Sequence, residues 1–147
     1  MSKERRIDRY EIKERIGTGA LGEVFVAWDP KLHRQVAIKI LRPEVTTQPK
    51  VRERFTREAR AVAALRHSNI VEIYDYSGVD SQDLYIVMEL IEGQELFHVI
   101  SEHGPAPETI AAALGHELCL ALAVAHGAGI IHRDLKPENV LVCPNGR

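Results

Sequence analysis

Gly17-Thr18-Gly19-Ala20-Leu21-Gly22, followed at once by Glu23-Val24-Phe25-Val26-Ala27-Trp28, is the stretch from which the rest of the chain can be understood. Glycines allow positive φ and let backbone amides come close to phosphate oxygens. What comes after them separates the uses of such a loop. A dinucleotide-binding fingerprint opens a helix directly after its last glycine. Here an apolar, β-branched and aromatic run follows, so a strand is expected and that reading is excluded. A Walker A loop needs Gly-Lys-Ser/Thr after its second glycine, and this loop lacks it. A strand–loop–strand hairpin remains. It either covers a nucleotide or is a glycine-rich turn without a ligand, and the glycines alone do not choose.

Working outward, residues 10–16 alternate apolar and polar, as a half-buried strand does. Downstream, Asp29-Pro30 signals a turn and residues 35–41 read as a third strand, apolar except for Gln35 and Lys39. Residues 43–49 read as a loop. Over 50–66 the period changes: Val51, Phe55, Val62 and Leu65 recur at helical spacing, with Arg and Glu elsewhere. Residues 70–76 and 84–90 read as two more strands around a polar turn. Five strands with one helix after the third predict a small α+β lobe over residues 10–92, preceded by a mixed-charge extension, 1–9. Beyond it, 95–102 reads as a short helix, and Pro107 opens a long Ala- and Leu-rich helix that Gly127 stops. Residues 93–147 thus form a second, mainly helical region.

Composition narrows the function classes. The 147 residues are 45% hydrophobic and 27% charged with a formal net charge of -2, so bulk charge predicts neither nucleic-acid nor anionic-membrane binding. Cys119 and Cys143 are too few and too isolated for a zinc site or a disulfide framework, which points to a reducing, cytoplasmic setting. No apolar run is read as approaching the ~20 residues of a membrane span, and the N-terminus lacks a signal-peptide core.

Two further features carry chemistry. Val36-Ala37-Ile38-Lys39 places one lysine in an apolar strand, where it either faces water or needs a partner. Glu58, read on the same helical side as Phe55, Val62 and Leu65, is the candidate partner. The densest polar cluster is His132-Arg133-Asp134-Leu135-Lys136-Pro137-Glu138-Asn139, lying between a helix and Val140-Leu141-Val142. It holds a potential base, a phosphate-binding cation and a metal-binding carbonyl within a few residues, and otherwise reads as a mixed-charge surface loop.

The glycine loop, Val36-Ala37-Ile38-Lys39 and the cluster from His132 to Asn139 together resemble the protein-kinase signature set, in its order and context. Arg66-His67-Ser68-Asn69-Ile70-Val71 resembles that family's helix-to-strand corner and Val87-Met88-Glu89-Leu90 its hinge. The chain therefore looks like a serine/threonine protein kinase of the eukaryotic-like, bacterial branch; Lys136 carries the serine/threonine preference. The resemblance implies a protein-kinase-like α+β fold and ATP-dependent phosphoryl transfer to Ser/Thr of a protein substrate, with Mg2+. It implies that Gly17, Gly19 and Gly22 cover the ATP phosphates and that Lys39 contacts them and pairs with Glu58. Val24, Ala37 and Leu141 would sandwich the adenine, with Met88 behind it, and Ile16 would also contact the nucleotide. Backbone groups of Glu89 and Ile91 would bond its edge, and Glu95 the ribose or a basic substrate. Asp134 would accept the substrate hydroxyl proton, Lys136 would neutralise γ-phosphate charge, and Asn139 would bind Mg2+.

Two departures stand out. The loop tip is Ala20-Leu21, where many relatives carry a serine and an aromatic residue. The Asp-Phe-Gly of the signature would be expected shortly beyond Arg147. The helical lobe is thus expected to be incomplete, and phosphoryl transfer to need further sequence, from a longer polypeptide or another kinase chain. The alternative is a nucleotide-binding or kinase-interacting regulatory fragment without catalysis.

Overall fold

The alternation in residues 10–16 and 23–28 becomes a run of antiparallel strands in the computed structural model, which describes residues 4–19, 21–78, 80–131 and 135–144. Strands β1 (Arg6–Ile7), β2 (Tyr10–Thr18), β3 (Gly22–Asp29), β4 (Arg34–Leu41), β5 (Ile73–Tyr76) and β6 (Tyr85–Met88) form one sheet in the order β1-β2-β3-β4-β6-β5. The sheet has one strand more than the sequence predicts. Arg6 and Ile7 pair with Glu11 and Tyr10, so part of the expected extension belongs to the sheet. Two residues are too short a run to show alternation. The expected loop 43–49 contains helix α1 (Pro43–Thr46) and the start of α2 (Pro49–Ala63), each with a proline in its first turn. One helical turn leaves no periodic trace.

Cross-strand partners in an antiparallel pair share a face. Phe25 lies opposite Ile38, Ala27 opposite Val36, Ile38 opposite Val87 and Ile40 opposite Tyr85. With Ile7, Tyr10 and Ile12 these residues make the hydrophobic core of the sheet. Strand β4, between β3 and β6, reads as nearly continuous apolar sequence because Val36, Ala37, Ile38, Ile40 and Leu41 are all buried.

Polar pairs fasten the edges of this core. The Tyr10 hydroxyl donates to Asp75 Oδ2 at 3.0 Å, and the Tyr85 hydroxyl to Asp8 Oδ2 at 3.2 Å. Burial, then the bond to Asp75, pushes the Tyr10 pKa above the usual phenol range. Burial, then Asp8, raises that of Tyr85 to about 12. Asp29 closes the β3–β4 turn by accepting the Lys31 and Leu32 amides, 3.0 and 3.2 Å from Oδ1. Arg9 donates to both carboxylate oxygens at 3.1 and 3.2 Å. This bond holds the buried Asp29 carboxyl below the ordinary range against the opposing effect of burial.

The chain divides into two units, Met1–Ala64 with Glu72–Leu90, and Leu65–Val71 with Ile91–Arg147. The second unit holds β7 (Gln94–Glu95), α3 (Leu96–His103), α4 (Glu108–Gly127), a 3-10 turn (Pro137–Asn139) and β8 (Leu141–Val142). Residues 65–71, read as a corner of the first lobe, group instead with the second unit. There the Asn69 side-chain Nδ2 donates to the Glu117 carbonyl at 3.2 Å and to Glu117 Oε2 at 2.7 Å, tying the corner to α4.

Helix α4 also amends the reading of apolar runs. Its 20 residues are long and apolar enough to cross a membrane by length and composition, though one such helix is weak evidence of a span. Interspersed His116, Glu117 and His126 break the run in the sequence.

Candidate functional site

The sheet face opposite the core carries most of the predicted residues of the first unit. Gly17 lies opposite Val24, Val24 opposite Lys39, and Lys39 opposite Ile86. One cross-strand row thus runs from the glycine hairpin to the lysine. One step along, Val26 lies opposite Ala37, and Ala37 opposite Met88. The period of two therefore gathers Gly17, Val24, Ala37, Lys39 and Met88 on one face. Ala37 is buried, whereas Val24, Lys39 and Met88 are half-buried, so this face retains accessible surface. It offers an apolar floor beside one ammonium group. Ile16 falls in the irregular register between Arg15 and Gly17 and is 50% exposed.

The hairpin is held by close approach, not by unusual backbone angles. Among the described residues the glycines with positive φ are Gly104 and Gly129, so the loop glycines do not use that freedom. A Cβ on Gly22 would lie 2.2 Å from the Ile40 carbonyl oxygen, which only glycine avoids. Gly17 and Gly19 have ordinary or open space where a Cβ would stand, 3.8 Å from Val24 Cβ and 4.0 Å from the Gly22 oxygen. The Gly19 amide donates to the Gly22 carbonyl at 2.9 Å, closing the turn. Arg42, which the sequence pattern does not single out, reaches the same loop. Its Nη2 donates to Thr18 Oγ1 at 3.0 Å and to the Gly19 carbonyl at 2.9 Å.

The expected Lys39–Glu58 ion pair is not formed. Glu58 is 59% exposed and its Oε1 accepts from Arg54 Nε at 3.0 Å, one turn back on α2. Helix α2 turns Phe55, Ala59 and Val62 toward the interior, with Ala59 buried. Glu58 sits about 100° around the helix from Ala59. A shared spacing with Phe55 and Val62 therefore placed it at the edge of the buried face, where a partner four residues away captures it.

At the hinge, Glu72 and Glu89 bond reciprocally. The Glu89 amide donates to the Glu72 carbonyl at 3.0 Å, and the Glu72 amide to Glu89 Oε1 at 3.0 Å.

In the second unit, Glu95 and Leu141 are directly opposed across β7 and β8. Gly93 permits this hairpin-like approach, since a Cβ there would lie 2.7 Å from the Val142 carbonyl oxygen. Glu95 Oε2 also lies 3.4 Å from His98 Nε2. Lys136 precedes the 3-10 turn and Asn139 ends it, the Asn139 backbone amide donating to the Lys136 carbonyl at 2.9 Å, and both residues are exposed. Ile91 is half-buried. Asp134, with its neighbours His132 and Arg133, lies outside the described residues. Among the described residues no cluster of three His, Cys, Asp or Glu side chains could hold a metal. The Asn139 carboxamide oxygen is a hard donor of the kind Mg2+ accepts alongside phosphate and water oxygens.

Comparison with known proteins identifies the family of the chain. The protein kinase domain family matches residues 10–147. The chain is 43% identical over 142 residues to the probable serine/threonine-protein kinase PknB of Corynebacterium glutamicum, covering 95% of this chain and 22% of that protein. It is 41% identical over 138 residues to the serine/threonine-protein kinase PknB of Mycobacterium leprae, covering 92% of this chain and 22% of that protein. Among solved structures, the Mycobacterium tuberculosis PknI kinase domain superposes with a TM-score of 0.84 at 28% identity, covering 99% of this chain and 59% of that one. The chain thus spans about a fifth of the length of these relatives and somewhat over half of a solved kinase domain.

Proposed function

Since the chain belongs to the protein kinase domain family, with its kinase-like α+β fold, we propose that it serves ATP-dependent phosphoryl transfer to Ser/Thr of protein substrates. The observation that carries this reading is the row Gly17–Val24–Lys39, with Ala37 and Met88 on the same face. It supplies what ATP requires: an apolar surface for a purine, one cation for phosphates, and a hairpin whose Gly22 lies against the β4 backbone.

In this reading Gly17, Gly19 and Gly22 cover the phosphates and Lys39 binds them. Ile16, Val24, Ala37, Met88 and Leu141 receive the adenine. The Glu89 backbone, whose amide is bonded to the Glu72 carbonyl, and the Ile91 backbone meet the adenine edge. Glu95 meets the ribose or a basic substrate. Lys136 neutralises γ-phosphate charge and Asp134 takes the substrate hydroxyl proton. Asn139 would hold Mg2+, which supplies charge neutralisation when bound. Pairing of Lys39 with Glu58 requires the Arg54 contact to break and α2 to turn its Glu58 edge inward. The two free thiols suit a reducing compartment, and the cytoplasm is the proposed location. The partner is a protein substrate, together with further kinase-domain sequence from the same polypeptide or another chain. That sequence would cover α4 residues such as Ile110 and Leu120, which are 52% and 43% exposed.

The test is a thermal melt of the purified chain with ATP and Mg2+. An upward shift that Lys39→Ala abolishes is expected, because a ligand bound only to the folded state raises its stability. A melt indifferent to ATP would sink the nucleotide reading. Nucleotide binding without transfer to any Ser/Thr peptide, even when further kinase-domain sequence is supplied, would favour the regulatory fragment.

A further inference from the structure

Arg42 follows the last residue of β4, three positions beyond Lys39, and touches the glycine hairpin at several points. Its Nη2 donates to Thr18 Oγ1 at 3.0 Å and to the Gly19 carbonyl at 2.9 Å. Its Nη1 lies 3.7 Å from Glu23 Oε1, and its backbone amide donates to the Leu21 carbonyl at 2.9 Å. The guanidinium thus bridges the rising limb of the hairpin, Thr18 and Gly19, to the falling limb at Glu23. Only its fork of several fixed donors can do this with one side chain.

The loop needs such a fastening. Gly17 and Gly19 contribute no side chain, and glycine has the most backbone freedom to lose on ordering. Leu21 is 56% exposed and packs little. Within the loop, the backbone bond from Gly19 to Gly22 closes the turn but does not set its position over the sheet. The pairing of Gly22 with Leu41 and the Leu21 carbonyl on the Arg42 amide hold the falling limb against β4, and the Arg42 side chain adds a tie from that strand to the rising limb at Thr18 and Gly19.

We propose that Arg42 is a positioning residue that holds the glycine hairpin at a fixed height over the Lys39 face and thereby sets affinity for the phosphate portion of the nucleotide. This inference rests on the nucleotide reading above. A loop that is only partly in its binding-competent position weakens apparent affinity in proportion to the competent fraction. The contacts are partly exposed, with the Arg42 side chain 39% accessible, so the effect is moderate. Adenosine lacks phosphates and so is indifferent to the clamp.

The experiment is titration of the purified chain with ATP·Mg2+ and, separately, with adenosine, for the wild type, Arg42→Ala, Arg42→Lys and Thr18→Val. Arg42→Ala is expected to weaken ATP about five-fold, as the competent fraction falls to roughly a fifth, with adenosine within about two-fold. Arg42→Lys, which keeps charge but not the fork, and Thr18→Val are expected to fall between. A merely structural role would weaken both ligands together or leave both unchanged. A wild-type chain that binds adenosine and ATP, with the ratio unaltered in Arg42→Ala, overturns the role of Arg42 alone. A wild type that binds no ATP overturns the nucleotide reading, and this inference with it.

Discussion

The two units of the chain bury their side chains very differently. In the first, Ala27, Val36, Ile38, Leu84 and Val87 have no accessible surface, and the buried Asp29 is held by a two-bonded arginine. In the second, among the described residues, the buried apolar side chains are Leu65, Ala121 and Ala125, while Phe97, Ile100, Ile110, Leu120 and Val124 are exposed. Both units have regular secondary structure, so the contrast is not one of backbone order. A sheet buries residues on a whole face once its neighbours pair, whereas an isolated long helix buries only the stripe that meets another element. The first unit therefore carries its stability within itself, whereas the second leaves much of its apolar helix surface uncovered.

The largest effect that could break this contrast is a cavity in the sheet core. Ile38 is fully buried, opposite Phe25 on one side and Val87 on the other. Ile38→Ala is expected to cost about 3 kcal/mol by denaturant titration, from lost transfer energy plus the cavity left behind. Leu120→Ala, on exposed α4, is expected to stay within about 0.5 kcal/mol. Equal costs at the two sites would show that α4 is packed in solution and that the contrast is wrong.

Next in size is the polar seam of the first unit. Asp29→Asn removes the charge facing Arg9 and is expected to cost about 2 kcal/mol near neutral pH, the scale of a charge-assisted bond to a buried group. The sign with pH follows from the lowered Asp29 pKa. Its contribution is fully present above the unfolded carboxyl value of about 4 and is lost as pH falls through the lower folded value. Urea titrations below pH 4 should therefore find wild type and Asp29→Asn converging; a constant gap down to the most acid pH would exclude this origin. Tyr10 and Tyr85, whose pKa values are raised, act at the other end. Their contribution is present below about 10 and lost as pH rises through the folded values, about 12 for Tyr85.

The same contrast explains what could be read from the sequence. Strands β2, β3 and β4 and helices α2 and α4 announce themselves because burial on one side leaves a period of two or of about 3.6. The grouping of Gly17, Val24, Ala37, Lys39 and Met88 was legible as motifs, and the register supplies the shared face. What escaped has no periodic trace: the two-residue β1, the single turn α1, and the reach of Arg42 back over more than twenty residues to Thr18. Asn69 escaped for the same reason, since its partner Glu117 lies 48 residues away. Glu58 was misplaced because spacing defines a helical stripe but not its edge, and at the edge Arg54 competes for the carboxylate.

The smallest effect tests the second unit on its own terms. Asn69 fastens residues 65–71 to α4 through the carbonyl and carboxylate of Glu117, and both bonds are exposed. A solvent-exposed hydrogen bond exchanges readily for water, so Asn69→Ala is expected to cost only about 0.5 kcal/mol globally. Its local effect should be larger. With little apolar burial nearby, the corner depends on these bonds for its position, and local opening draws on the weakest unit first. Amide hydrogen exchange should therefore quicken at Ile70, whose N–H donates to the His67 carbonyl at 3.1 Å, while the β4 and β6 amides remain protected. Exchange that quickens equally in β4 would mean that the two units open together, and the difference in burial would then not be a difference in stability.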